Sequence, residues 1–507
     1  MPLPTKHPRA TARLDPERPA IIMAATGDVT TFGMLERAAN RGAHRLRAAG
    51  IRSGDTIALL CGNAAEHLEA VWAADRSGVY YVCLSTHLTA PELAYILTDS
   101  GSRLLLAAQD FEAIARAAAA LVPGVSVVSI RPEGDRPEIP IRDEAQGHDM
   151  LYSSGTTGRP KGIRAGPSKA GEDALDPLTA MLETRFGFGA STRYLCPAPL
   201  YHAAPLRWCL AVHRLGGTVV LLERFDAESA LSAIERYRIT AGQWVPTHFV
   251  RLLKLSPSVR NRYDLSSQRL AVHAAAPCPI SVKQAIIDWW GPIVLEYYAG
   301  SEGNGLTAIA SDEWLRKPGS VGRALIGTVH ICDDSGEPRP IGEEGIVYFE
   351  GGGEFSYQND AARTAAAANR YGWTTLGDVG RLDADGYLFL TDRRDFMIIS
   401  GGVNIYPRAI EDRLIAHPAV ADVAVFGIPD AEMGERVIAV VEPADGICGD
   451  DTLATALIAW ARGALSGIQI PRRIDFVSAL PRHANGKLYK RLLRERYLGK
   501  VDPLITS

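Results

Sequence analysis

The sequence predicts an α/β fold: a large N-terminal domain of layered α/β subdomains with a β-rich subdomain, and a small mobile α+β C-terminal domain. Three observations carry this prediction. Short apolar strands alternate with amphipathic helices, the order that builds largely parallel sheets. Apolar residues make up 47% of the chain and charged residues 22%, a balance suited to large buried interiors. At 507 residues the chain exceeds one ordinary core, and about 100 to 200 residues per domain divides it into roughly two to four units.

The elements follow in order. TFGMLERAANRGAHRLRAAG puts Leu35, Ala38, Gly42, Leu46 and Ala49 on one helical stripe, with Gly50 as its stop. TIALLCG reads as a buried strand. A helix over 64–76, the strand YYVCLS, a helix opened by Thr89 with Glu92 as its capping box, and the strand RLLLAA repeat the pattern. After the helix over 112–122 and the strand VSVVSI, the polar, proline-rich RPEGDRPEIPIRDEAQGHD leads to a short strand over 149–152. A second α/β stretch covers about 192–310, and a glycine-rich β stretch covers 319–391. Beyond Asp395, helix 407–416, the strands VADVAVFGI and RVIAVVEP, the helix LATALIAWARGAL and the strand RRIDFVSAL form a unit able to fold alone. The expected domains are therefore 1–394 and 395–507.

Composition excludes several classes of function. A net charge of −4 gives no electrostatic footprint for nucleic acid. The seven cysteines are scattered without metal-ligand spacing, which reads as reduced thiols in a cytoplasmic protein. The start, MPLPTKHPRATARLDPERPA, lacks the apolar core of a secretory leader. No apolar run approaches the ~20 residues of a transmembrane helix.

YSSGTTGRPKG, 152–162, is a candidate phosphate loop: glycines free backbone N–H groups, and Ser153, Ser154, Thr156 and Thr157 add hydroxyl donors around Gly155 and Gly158. It is not a Walker loop, because Arg159 and Pro160 separate Gly158 from Lys161 and Pro160 obstructs a following helix. Taken alone, such a loop is as compatible with a polar surface turn.

The rest of the chain changes that balance. SSGTTGRPKG, CPAPLYHAAP, EYYAGSEGNG, GWTTLGDVG, DRRDFMIISGGVNIYP and PRHANGK occur in the order and approximate spacing of the adenylate-forming superfamily. Over nearly its whole length the sequence resembles that superfamily of acyl-CoA synthetases, nonribosomal peptide adenylation domains and luciferases. The resemblance implies ATP, Mg2+ and coenzyme A as cofactors and a small-molecule carboxylate as partner. It implies that Glu302 holds magnesium, with Ser301 in place of the usual threonine, and that Tyr298 lies on the adenine. Asp378 would grip the ribose, with Leu376 where a threonine is common, and Arg393 would reach the ribose or phosphate. Asp395 falls at the hinge between the domains, and Lys487 matches the mobile lysine that neutralises charge during adenylation.

For the acid pocket the resemblance points to His202, Trp244, His248, Val272, His273, Ala274, Tyr297 and Gly303; core packing would also account for most of Trp244, His248, His273 and Tyr297. Ala274 and Ala275 replace two glycines before Ala276, and their methyls narrow the space beside adenine or acid. Gly401 and Gly402 resemble glycines lining a pantetheine channel. Arg207 reads either as an anchor for a second anionic group or, more simply, as a helix-face arginine.

The reading that results is a two-step acid–thiol ligase, with acyl-adenylate and pyrophosphate formed first and coenzyme A as acceptor. It leans towards aromatic or short acids. No carrier domain is expected on this chain, though a separate carrier protein stays open, as do a monomeric or homodimeric state. Two alternatives remain at this level: an ATP- and nitrite-dependent diazotase acting on an aromatic amine, and a degenerate acyl or nucleotide binder.

Overall fold

The computed structural model describes residues 6–131, 135–153, 160–165, 175–481, 488 and 490–498. Among them a 13-stranded and a 7-stranded sheet form the large N-terminal part, and a 5-stranded sheet forms the small C-terminal part. In the 13-stranded sheet, Val294–Ala299, Leu270–His273, Ala241–Trp244, Arg193–Cys196, Thr218–Leu221 and Pro19–Met23 run parallel in that spatial order. From Leu306–Ala310 outward the same sheet is antiparallel, which is the β-rich subdomain expected from the glycine-rich stretch.

The 7-stranded sheet is parallel through Thr56–Leu60, Tyr80–Cys83, Ser102–Ala107, Ser126–Ser129 and His148–Ser153, and closes with antiparallel Lys161–Ala165 and Phe355–Tyr357. Strand Thr56–Leu60, in the middle of the parallel part, is buried at every position, as expected of a parallel strand covered on both faces.

Helices Phe32–Ala48, Ala65–Arg76 and Ala203–Arg214 contribute to a core shared by the two sheets, in which Ile57 and Leu59 of one sheet and Val219 and Leu221 of the other take part. The predicted stripe of the first helix is what it buries: Leu35, Ala38 and Leu46 are occluded, and Gly42 permits close approach, since a Cβ there would lie 2.5 Å from the Ala73 side chain. The Thr89 capping box is present, with Glu92 Oε2 accepting from both the Thr89 N–H and its hydroxyl at 2.8 Å. The polar connection before the phosphate loop is tied down: Arg9 pairs with Glu144, and Arg47 pairs with Asp143.

The small part has its own core, in which Ile410, Leu414, Val425, Val437, Leu457 and Ala461 pack helices Pro407–Ile415 and Asp451–Arg462 on their sheet. No helix among the described residues is long and apolar enough to cross a membrane. All seven cysteines are free, and only Cys448 is exposed.

Two buried histidines mark the interior as one that holds neutral imidazole. Trp72 Nε1 donates to His213 Nδ1 at 3.0 Å, which leaves Nε2–H to donate to the Ala20 carbonyl at 3.0 Å. Burial pushes His213 and His67 from 6.5 down to about 4. The unfolded chain takes up these protons near pH 6.5 and the folded chain only near 4. Stability is therefore full above about 6.5, falls as pH drops through that window, and levels off below about 4, by up to about 3 kcal/mol for each histidine. Urea unfolding across this range should show the loss, with a shallower slope for His213→Gln; an unchanged slope in the variant would contradict the assignment.

Candidate active site

Strands His148–Ser153 and Lys161–Ala165 are antiparallel neighbours, with Ser153 opposite Lys161. The glycine- and hydroxyl-rich stretch thus joins strand to strand, whereas a Walker loop runs from strand into helix. Ser154, Gly155, Thr156, Thr157 and Gly158 lie outside the described residues, as does Lys487. From the end of this hairpin Lys161 reaches the second sheet. Its Nζ is 3.0 Å from Glu302 Oε1 and 3.0 Å from the Tyr357 hydroxyl, which itself donates to the same carboxylate oxygen at 3.0 Å. Burial pushes the Glu302 carboxyl up, but the charge and hydrogen bond of Lys161, with the Tyr357 hydroxyl, outweigh it and hold the group below its ordinary value. Glu302 is accordingly an anion with only 7% of its side chain exposed, held by a cation.

The Val294–Ala299 strand supplies the remaining geometry, because successive side chains point to opposite faces. Tyr297 accepts from Gln243 Nε2 at 2.9 Å, and its ring stacks on Trp208 with centroids 6.1 Å apart. Tyr298, on the other face, donates to Asp378 Oδ2 at 2.6 Å. Arg393 Nε donates to Asp378 Oδ1 at 2.9 Å, and the antiparallel register sets Asp378 and Arg393 opposite each other. Gly300 is needed for this approach: a Cβ would come within 2.4 Å of the Leu376 side chain and 3.0 Å of Glu302 Oε2.

Other expected residues lie around this group or on the elements that lead to it. Gly401 and Gly402 form the turn between Ile398–Ser400 and Val403–Ile405, with φ of 56° and 78°, so both need the left-handed region glycine enters freely. Ala275 also adopts a left-handed φ, 76°, with its methyl exposed, while Ala274 is buried beside it and Ala276 is half-buried. His202 caps helix Ala203–Arg214 and packs against Tyr201, with ring centroids 4.6 Å apart. Ser301 and exposed Gly303 flank Glu302, and Asp395 sits in the single turn Arg394–Phe396.

Four of the expected pocket residues are buried. Trp244, Val272 and His273 have no exposed surface and belong to the interior. Their strands are covered on both faces, and Trp244 packs edge-on against Trp290 at 5.1 Å. His248 is buried against Phe225, with rings 3.9 Å apart, and burial drives its basicity down to about 3. Large polar aromatics near a strand end read alike in sequence whether they face a ligand or fill a core. Arg207 lies on the face of helix Ala203–Arg214, as the helix-face reading has it, and is engaged there: its Nε donates to Asp149 Oδ2 at 2.8 Å and its Nη1 to the Ser301 carbonyl at 3.2 Å. Tyr357 and Asp149 gave no usable signal in sequence, since each meets the site only through pairing or packing between distant segments.

The AMP-binding enzyme family matches residues 8–356, and the AMP-binding enzyme C-terminal domain matches 409–487. The chain belongs to the AMP-binding enzyme family. It is an AMP-forming ligase. Feruloyl-CoA synthase from an Amycolatopsis species is 35% identical, covering 96% of this chain and 97% of that protein. A long-chain-fatty-acid–CoA ligase from Mycobacterium tuberculosis is 32% identical, over 97% and 98% of the two chains. O-succinylbenzoate coenzyme A synthetase from Bacillus subtilis, solved with ATP and magnesium ion, superposes with a TM-score of 0.82 at 30% identity, over 96% and 98%.

The residues of this AMP-binding enzyme fit the groups its family uses. Glu302 already holds a cation against one oxygen, which is the demand a magnesium–phosphate complex makes of a carboxylate. Asp378 is an acidic acceptor fastened from two sides, suited to vicinal hydroxyls. Strain at Ala275 gives a direct check. A left-handed backbone at a non-glycine residue costs on the order of 1–2 kcal/mol, partly offset by the greater unfolded-state freedom of glycine. Ala275→Gly should raise unfolding free energy by about 1 kcal/mol in urea titrations; a loss of stability would contradict the strain.

Proposed function

We propose that this ligase activates an aromatic carboxylic acid with ATP and passes the acyl group to coenzyme A. The observation that carries the reading is the end of the Val294–Ala299 strand, where Tyr297 lies against Trp208, Tyr298 reaches Asp378, and Glu302 follows to meet Lys161. The half-buried Tyr297 ring, backed by Trp208, favours a flat acid over a long alkyl chain. His202 and Gly303 stay in the proposed pocket, with Ala274 to Ala276 beside the nucleotide.

In the first half-reaction an oxygen of the acid attacks the α-phosphorus of ATP, and the bond to pyrophosphate breaks. Magnesium, held through Glu302, neutralises phosphate charge when bound. The work of the chain is positioning: the 153–162 loop takes the β- and γ-phosphates, Asp378 and Arg393 hold the ribose, and Lys487 neutralises the charge that develops at the α-phosphate. In the second half-reaction the thiol displaces AMP, with Gly401 and Gly402 beside its pantetheine arm. The domains proposed for this cycle are 1–394 and 395–507, rotating about Asp395, in a cytoplasmic enzyme.

ATP consumption across aryl, amino-aryl and fatty acids, with coenzyme A or nitrite as second reactant, tests this. Turnover should be highest with aryl acids and should require coenzyme A; nitrite-dependent loss of an arylamine would replace the reading. Lys487→Ala should slow acid-dependent pyrophosphate exchange by about 10²- to 10³-fold. Asp395→Pro should slow thioester formation more than adenylation, and equal losses would remove the hinge.

A further inference from the structure

Arg207 makes a connection that no role assigned so far uses. It projects from helix Ala203–Arg214, one of the helices in the core shared by the two sheets. Its Nε donates to Asp149 Oδ2 at 2.8 Å, in the strand His148–Ser153 of the 7-stranded sheet that runs directly into the phosphate loop. Its Nη1 donates to the carbonyl of Ser301 at 3.2 Å, in the turn that follows Val294–Ala299 of the 13-stranded sheet and immediately precedes Glu302. One guanidinium therefore holds the strand that presents the phosphate loop and the turn that presents the magnesium carboxylate.

We propose that Arg207, with Asp149, is a positioning pair that fixes strand His148–Ser153, from which the phosphate loop leaves, relative to Glu302 for the magnesium-bound triphosphate of ATP. This rests on the assignment of Glu302 and the 153–162 loop to ATP. Three features support it. A planar guanidinium with several fixed donors can serve two acceptors at once, which a lysine ammonium on a flexible stem does less rigidly. Asp149 neutralises Arg207, so the pair does not offer a second substrate anion an unpaired positive charge. The Ser301 carbonyl lies in a glycine-bounded turn, Gly300 to Gly303, with Gly303 at a φ of 69°; such a turn has little stiffness of its own, and an outside donor defines where Glu302 starts.

The two carriers of phosphate chemistry belong to different sheets, and Lys161 with Tyr357 links them at the edge where their strands pair. Arg207 supplies a link from another direction, and links from two directions restrain a distance that one direction leaves free to swing.

The test compares nucleotides that do and do not span the two carriers. In calorimetric titrations of the full chain, Arg207→Met should bind ATP with magnesium about tenfold or more weakly, with AMP affinity unchanged, because a lost hydrogen bond to a charged group is worth roughly that factor. Acid-dependent pyrophosphate exchange should fall by about 10²-fold, the effect of a misplacement near 1 Å. Arg207→Lys should recover part of the ATP affinity. Equal weakening of ATP and AMP would mean a merely structural residue, and unchanged affinity for both would equally overturn the proposal. If Arg207→Met does not fold, Asp149→Asn, which keeps the shape and one acceptor oxygen, carries the same comparison; ATP binding equal to that of the parent then overturns it. A parent protein that binds ATP but shows no acid-dependent exchange would remove the proposed function and leave the binding comparison intact.

Discussion

The site depends on keeping the Glu302 carboxylate charged where little water reaches it. An ionised carboxylate taken out of water is costly unless a cation and hydrogen bonds replace its hydration, and removing one partner from such a group leaves the whole penalty exposed. Lys161 and the Tyr357 hydroxyl supply that replacement. Lys161 comes from one strand of the phosphate-loop hairpin, and Tyr357 from the strand paired with it, so satisfying Glu302 draws an edge of the 7-stranded sheet onto the end of a strand in the other. Mixed-sheet architecture and site chemistry are, at this point, the same contact.

The nucleotide side repeats the logic with different parts. Asp378 and Arg393 are opposed by strand register, and the Tyr298 hydroxyl closes the group from a third strand. Charge-assisted hydrogen bonds between rigid strands hold an acceptor at a defined place before any ligand arrives. The neighbouring Tyr297, one residue away, faces the opposite side of the sheet, so strand alternation separates the proposed acid wall from the proposed nucleotide wall without any insertion. Parallel strands ending together in this region also agree with the tendency of α/β sheets to bind ligands outside their carboxyl ends.

Much of the fold was legible because periodicity and capping are local. The stripe through Leu35, Ala38 and Leu46 and the Thr89–Glu92 box rest on neighbours within a few residues. The family motifs likewise identified Glu302, Tyr298, Asp378 and Arg393 as a group, and packing then brought Tyr298, Asp378 and Arg393 into direct contact. The acid pocket was less legible. Trp244 and His273 have the residue types of a binding wall, yet both are sealed in the interior, because a strand buried on both faces offers no sequence sign of which face meets a ligand.

By itself the sequence determined the α/β class, the position of a small C-terminal unit, the exclusion of a Walker loop, and membership of a family that forms adenylates. These follow from residue order, in which glycine, proline and apolar spacing act locally. Only the tertiary structure decided that Lys161 and Tyr357 share Glu302, that Asp149 and Ser301 are joined through Arg207, and that Tyr297 rather than Trp244 has a ring partner on the helix opened by His202. Each of these joins residues far apart in the chain, and the distance between them is set by how two sheets and the helices between them pack, which no local pattern encodes.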